Sequence, residues 1–158
     1  MGWHKMMVWQ DDMSVGVDVL DNDHKTLIGI INQFEKSPSQ RAAEIALGKL
    51  CNYLICHFNR EDEICEFSVY DSLHAHKLDH ALILNNLKKL TRLMSREIEK
   101  FNVDFIIDIS NYLTEWATQH IIKEGDKIRI FFNGGFFDNI DACFQDRTAK
   151  YALHHSMA

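Results

Sequence analysis

Apolar residues recur at helical spacing in four successive stretches of this chain, and every stretch is flanked or interrupted by histidine on its apolar side. Residues three, four or seven apart stack on one face of an α-helix, so each stripe is the core-facing side of an amphipathic helix. Leu20, Leu27, Ile28, Ile31 and Phe34 form the first stripe, with Asp21 placed as its N-cap. Leu47, Leu50, Leu54, Phe58 and Ile64 form the second. The third runs through Ile83, Leu84, Leu87, Leu90, Met94 and Ile98, and the fourth through Phe105, Ile109, Tyr112, Leu113 and Trp116. The links are short. KSPSQ (36–40) holds the only proline, SVYDS (68–72) offers Asp71 or Ser72 as a cap, and FNVD spans 101–104. This pattern predicts an all-α fold, an antiparallel up-down four-helix bundle.

Composition agrees. One proline and seven glycines in 158 residues favour long uninterrupted helices. The length suits a single domain, 1–158, with its core over about 9–127. An irregular amino-terminal arm runs to about Leu20, and residues 128–158 form a short carboxy-terminal extension. In that extension FFNGGFF (131–137) is aromatic about a Gly-Gly turn, and DNIDACFQ (138–145) starts a short fifth helix. A net charge of −6 argues against nucleic acid or an anionic membrane as partner. No run reaches the roughly 18 apolar residues of a spanning helix. The amino terminus, MGWHKMMVWQDD, meets charge too early for a signal-peptide apolar region, so the chain reads as cytoplasmic. Cys51, Cys56, Cys65 and Cys143 form no CxxC pair and read as free thiols behaving as small apolar residues.

The histidines carry the chemistry. His24 lies four residues before Ile28 and seven before Ile31, and His57 lies three after Leu54 with Glu61 one turn further on. His76 and His80 are four apart and lead into Ile83, Leu84 and Leu87; His120 lies four after Trp116 and seven after Leu113. All of these side chains therefore share the inward faces of their helices. His74, two residues from His76, falls on the opposite face and is expected to meet solvent. A single inward histidine is ordinarily a core residue satisfied by one hydrogen bond. Five of them with a carboxylate, unpaired, would cost roughly 1–3 kcal/mol each or more, which a marginally stable domain does not sustain. Coordination of a cation removes that cost.

Imidazole nitrogen and carboxylate oxygen without thiolate suit iron, manganese or zinc. Five histidines exceed the needs of one tetrahedral zinc, and a shared carboxylate suggests two ions side by side. The Glu-x-x-His motif of carboxylate-rich di-iron bundles is absent, as is the HExxH zinc motif. A histidine-rich di-iron pair is what remains.

The segments SVGVDVLDNDHKTL, HFNRE, HAHKLDH and WATQHIIKEGD, in this order over about residues 9–127, resemble the hemerythrin family, specifically its bacterial members. The resemblance implies two non-heme iron ions joined by an oxo or hydroxo bridge. It implies that His76, His80 and His120 hold one iron, and that His24 and His57 hold the other with a position open for dioxygen. Glu61 is then one bridging carboxylate. The family sets its bridging Asp five residues after the last histidine, but here that residue is Gly125, with Glu124 before it and Asp126 after. A one-residue insertion, absorbed by a π-bulge or an early helix end, would bring Asp126 to the bridge, and the following lysine favours that choice. Glu124, on the face of His120, is the alternative.

The function expected is reversible dioxygen binding for storage, delivery or sensing. Ile28, Phe58, Leu27 and Trp116, each about one turn from a ligand, are the expected apolar wall that keeps water out. No residue reads as a general acid or nucleophile for an organic substrate, so the chain is expected not to be an enzyme. Two alternatives stand beside this: an oxygen or redox sensor module, and a di-iron peroxidase or nitric-oxide reductase. The aromatic extension is where a protein partner or a second copy would bind.

Overall fold

The protein is described by a computed structural model covering residues 6–67, 73–96, 101–125 and 128–129. Four helices account for most of it: α1 (Asp18–Glu35), α2 (Gln40–Phe67), α3 (Leu73–Arg96) and α4 (Val103–Thr118). A π-helical turn, Gln119–Glu124, continues α4 without a break. The helices form an all-α four-helix bundle, with α1 against α2 and α4, and α2 against α3 and α4. No strand occurs among the described residues. The connection at 68–72, the expected end of the third stripe at Ile98, and the extension from 130 onward, with its aromatic segment and fifth helix, lie outside the described residues.

Local chemistry sets the helix ends. Ser39, just after Pro38, accepts the Ala42 backbone N–H on its Oγ at 3.1 Å and so opens α2. Asn102 does the same for α4, its Oδ1 accepting the Phe105 N–H at 2.9 Å. The first helix differs from expectation. It starts at Asp18 with Val17 at the cap position, three residues before Asp21. Asp21 is buried instead and clamps the arm: its carboxylate accepts the Ser14 hydroxyl at 2.5 Å and the Val15 N–H at 2.8 Å. Gly16, at φ +79°, supplies the left-handed residue that turns the arm into α1. Upstream, Asn32 pairs with both backbone groups of Met7, at 2.9 and 2.7 Å, and Lys25 lies 4.7 Å from the Trp9 ring centre.

The core is split in two along the bundle axis. The larger part packs Leu27, Ile31, Leu50, Leu54, Leu87 and Leu113. The smaller packs Val15, Val17 and Leu20 against Ile64, Cys65 and Ile128. On α1, His24 falls between Leu20 of one part and Leu27 of the other; on α2, His57 and Glu61 fall between Leu54 and Ile64. The polar groups thus form one layer sealed above and below by apolar ones. At the far end of the bundle, Glu35 of α1 accepts the hydroxyls of Ser110 and Thr114 and ties α1 to α4.

Removing the α4 cap in Asn102→Ala is expected to cost about 1 kcal/mol. Asp21→Ala is expected to cost more, about 1–3 kcal/mol, because it strands a buried backbone N–H. Urea midpoints of the two variants against the parent check both the size and the order.

Candidate metal centre

Helical geometry delivers one residue after another to a single point. His24 comes from α1, His57 and Glu61 from successive turns of α2, His76 and His80 from successive turns of α3, and His120 from the π turn after α4. Their side chains are all buried. Glu61 stands at the centre, one oxygen lying 3.1 Å from His80 Nε2, 3.5 Å from His76 Nε2, 3.6 Å from His57 Nε2 and 3.7 Å from His120 Nε2. His24 completes the ring, its centroid 5.0 Å from that of His57 and 5.6 Å from that of His120. Two groups of donor atoms lie within 4.8 Å of one another: those of His24, His57, Glu61 and His120, and those of Glu61, His76 and His80. His120 stands between them, 5.4 Å from His57, 5.5 Å from His80 and 6.5 Å from His76 by ring centroids.

The donor set fits a cation. Both His24 nitrogens, both Glu61 oxygens and His80 Nε2 are buried without a hydrogen-bond partner. Protein interiors do not ordinarily leave that many polar atoms unsatisfied, at about 1–3 kcal/mol each. Electrostatics prepares the same atoms. Burial, then the neighbouring His57, pushes His24 down to about 4. Burial likewise drives His120 well below its ordinary value, against the pull of Glu61. Both rings are therefore neutral near pH 7 and present lone pairs. Burial alone would raise Glu61, but the imidazoles packed around it, His120 and His57 foremost, hold it well below the carboxylate range.

Two carboxylates outside the ring decide which nitrogen points in. Asp23 meets His57 Nδ1 at 3.2 Å, and Asp62 meets His80 Nδ1 at 3.1 Å. Each carboxylate anchors its ring through Nδ1 and turns Nε2 toward Glu61. Asp23 is itself held in a fork by Arg60, at 2.9 and 2.7 Å, and by the Tyr53 hydroxyl at 2.8 Å. Burial raises Asp23, but the bonds from His57, Arg60 and Tyr53 outweigh it and keep the group ionised. For His80, burial pulls down, while Asp62 and Glu61 pull up and prevail. Sequence reasoning missed Asp23, Tyr53, Arg60 and Asp62. Their signal was present: Tyr53, His57 and Arg60 are four and three apart on α2, and both acids adjoin a ligand candidate.

Aromatic rings fix the imidazoles from the sides. Phe58 stacks on His80 at 3.7 Å and 6°, and Trp116 on His120 at 5.3 Å and 14°. Leu27, Ile28 and Phe58 of the expected wall are buried, whereas Trp116 is half-exposed. His74 is exposed, as expected from its face. A π turn lies where a one-residue insertion was expected, and in it the Gly125 N–H reaches back to the His120 carbonyl. A Cβ at Gly125 would point at Val15 Cγ1, 3.1 Å away, and so toward the arm rather than the histidines. Asp126 and the Glu124 side chain lie outside the described residues.

The pattern of the hemerythrin HHE cation binding domain matches residues 15–128. A bacteriohemerythrin of Stenotrophomonas maltophilia is 30% identical over 120 residues, covering 73% of this chain and 74% of its own length. One from Clostridium acetobutylicum is 26% identical over 127 residues, covering 75% of this chain and 95% of its own. Among solved structures, a crystal structure of a hemerythrin mutant superposes with a TM-score of 0.65 at 20% identity, over 78% of this chain and 98% of its own, and shares the fold.

With a native value of about 4 for His24 against an ordinary 6.5, the unfolded chain takes up that proton first as pH falls. The contribution of His24 to the stability of metal-free protein is thus complete above the ordinary value and is lost as pH drops toward the native one, with His120 acting in the same direction. Urea midpoints of chelator-treated protein should fall between about pH 7 and about pH 4.5; an unchanged midpoint across that interval contradicts the neutral buried imidazoles.

Proposed function

Because the chain belongs to the hemerythrin HHE cation binding domain family, we propose that it binds dioxygen reversibly at a non-heme di-iron centre. The observation that carries this reading is Glu61, buried at the middle of the bundle with four imidazole nitrogens 3.1–3.7 Å from one of its oxygens. We assign Glu61 as a bridging carboxylate, with His24, His57, His76, His80 and His120 as nitrogen ligands. When bound, a ferrous pair supplies the electrons that dioxygen binding requires. This chain's own residues do the rest. Asp23 and Asp62 hold protons at Nδ1 of His57 and His80, so that Nε2 is free to ligate. The two apolar layers exclude water, and Phe58 and Trp116 hold the imidazole planes.

The second bridge is assigned to Asp126. A π turn holds one residue more than an α turn, so every later residue is set back by one position. In sequence register, Asp126, six after His120, then corresponds to the fifth residue of an uninterrupted helix. The occupant of that fifth position, Gly125, faces Val15, which supports this register.

Protein purified with iron is expected to hold two irons per chain and to show a visible absorption band that appears with dioxygen and disappears when it is removed. Slow oxidation in air is expected of a carrier; rapid oxidation, or turnover of peroxide or nitric oxide, would favour the sensor or enzyme readings instead. Glu61→Ala should lose at least half of the iron. Asp126→Ala should lose iron where Glu124→Ala keeps it, and the reverse pattern transfers the bridge to Glu124.

A further inference from the structure

We propose that the seam between α3 and α4 holds a binding site for a small, neutral, hydroxylated aromatic ring, of the phenol class. The proposal deepens the metal-site reading in one respect only: two of the assigned ligands form the inner end of the site. A cavity of about 230 Å³ opens there, reaching from solvent to the rings of His80 and His120. Roughly 150 Å³ is enough for benzene, so the space suits a single ring and far exceeds what a diatomic gas needs.

The lining specifies the occupant. Leu82 and Ile83 of α3 and the Trp116 indole of α4 supply apolar and π surface. Trp116 already lies nearly parallel to His120, which makes this wall flat. Flat aromatic walls favour a planar ring. The lining's amide and hydroxyl groups are uncharged. Asn86 donates its amide to the Tyr112 hydroxyl oxygen at 3.3 Å, which leaves the Tyr112 hydrogen available to an occupant, and Gln119 adds an amide with both a donor and an acceptor. Among the described residues, the ions at the rim are Asp79 and Lys123, exposed and opposite in sign, so this pair selects neither an anion nor a cation. A ring carrying hydroxyl, which both donates and accepts, satisfies these groups. A carboxylate or an ammonium on the ring does not.

The site also lies away from the side where dioxygen is expected. His24, assigned with His57 to the iron that has the open position, takes no part in the cavity. An occupant would therefore rest against the outer face of His80 and His120 without competing for that position.

The test uses the full, iron-loaded chain titrated with phenol, followed by calorimetry and by tryptophan fluorescence. One saturable site per chain is expected, with benzoate and benzylammonium each at least fivefold weaker. Leu82→Trp, which fills the mouth from an exposed position, should weaken phenol at least tenfold. Asn86→Leu, which removes the amide, should weaken it about fivefold, and circular dichroism verifies that each variant is folded. Absence of saturable binding overturns the proposal. So does tighter binding of benzoate, parent-like affinity in both variants, or a new visible band from phenolate bound directly to iron. Iron content and the oxygen-dependent spectrum are read on the same samples. Phenol binding with no iron sinks the dioxygen reading and leaves the cavity site standing, and the converse result sinks the cavity site alone.

Discussion

A buried carboxylate surrounded by imidazoles is the constraint around which this bundle is organised. Glu61 is 1% exposed and sits between two separately packed apolar layers, so water cannot relieve it. Helices are the only elements that bring such a group to a bundle centre without exposing backbone, because each satisfies its own hydrogen bonds. The price of that arrangement is a layer of polar side chains where leucines would otherwise interdigitate. Its return is a set of lone pairs converging at one point, which is what a cation requires. The carboxylates Asp23 and Asp62 extend the layer outward and meet Nδ1 of His57 and His80, whereas inside it both His24 nitrogens and both Glu61 oxygens lack a hydrogen-bond partner. That gradient, satisfied outside and unsatisfied inside, separates a ligand set from a merely polar core.

The end of α4 shows how a π turn widens the helix while keeping His120 on the inward face. His120 lies at the start of the π turn, before the added residue has taken effect, so its ring keeps the direction given by Leu113, Trp116 and Ala117. The widened turn then shifts the backbone that follows. Gly125 meets the arm at Val15, and Val15 is held by Asp21 through its N–H. The arm is thus a packed part of the bundle end. It seals the smaller apolar layer, and Asp21 is buried because it anchors this lid rather than capping a helix.

Much of this was legible in the sequence, and the parts that were not have physical reasons. The stripes through Ile31, Leu54, Leu87 and Leu113 located the helices because apolar burial and helical period report on the same thing. The inward histidines were legible for the same reason: they interrupt those stripes without changing their period. Asp21 misled because an acid before an apolar run has the same signature whether it caps a helix or bonds to a preceding loop. Asp23 and Asp62 were passed over because an acid beside a candidate ligand projects from the helix at a different angle, which reads as a solvent face. Only the neighbouring helix, with Tyr53 and Arg60, or the neighbouring ring of His80, turns that angle into a contact. Side-chain partners between helices depend on crossing geometry, which periodicity within one helix does not encode.

The candidate metal centre is covered unequally. On the α1–α2 side, Asp23, Tyr53 and Arg60 form a hydrogen-bonded clasp over His57, and opening it would strand an ionised, largely buried carboxylate. On the α3–α4 side, His80 and His120 are screened by the stacked rings of Phe58 and Trp116, and beyond them the helices stand apart around a cavity. Stacking is weaker and less directional than a charged hydrogen-bond fork, so the two sides differ in how readily they yield. Local opening follows the weaker contacts. The α3–α4 seam is therefore the less firmly held side of the polar layer, while on the α1–α2 side Asp23 keeps the His57 ring in place.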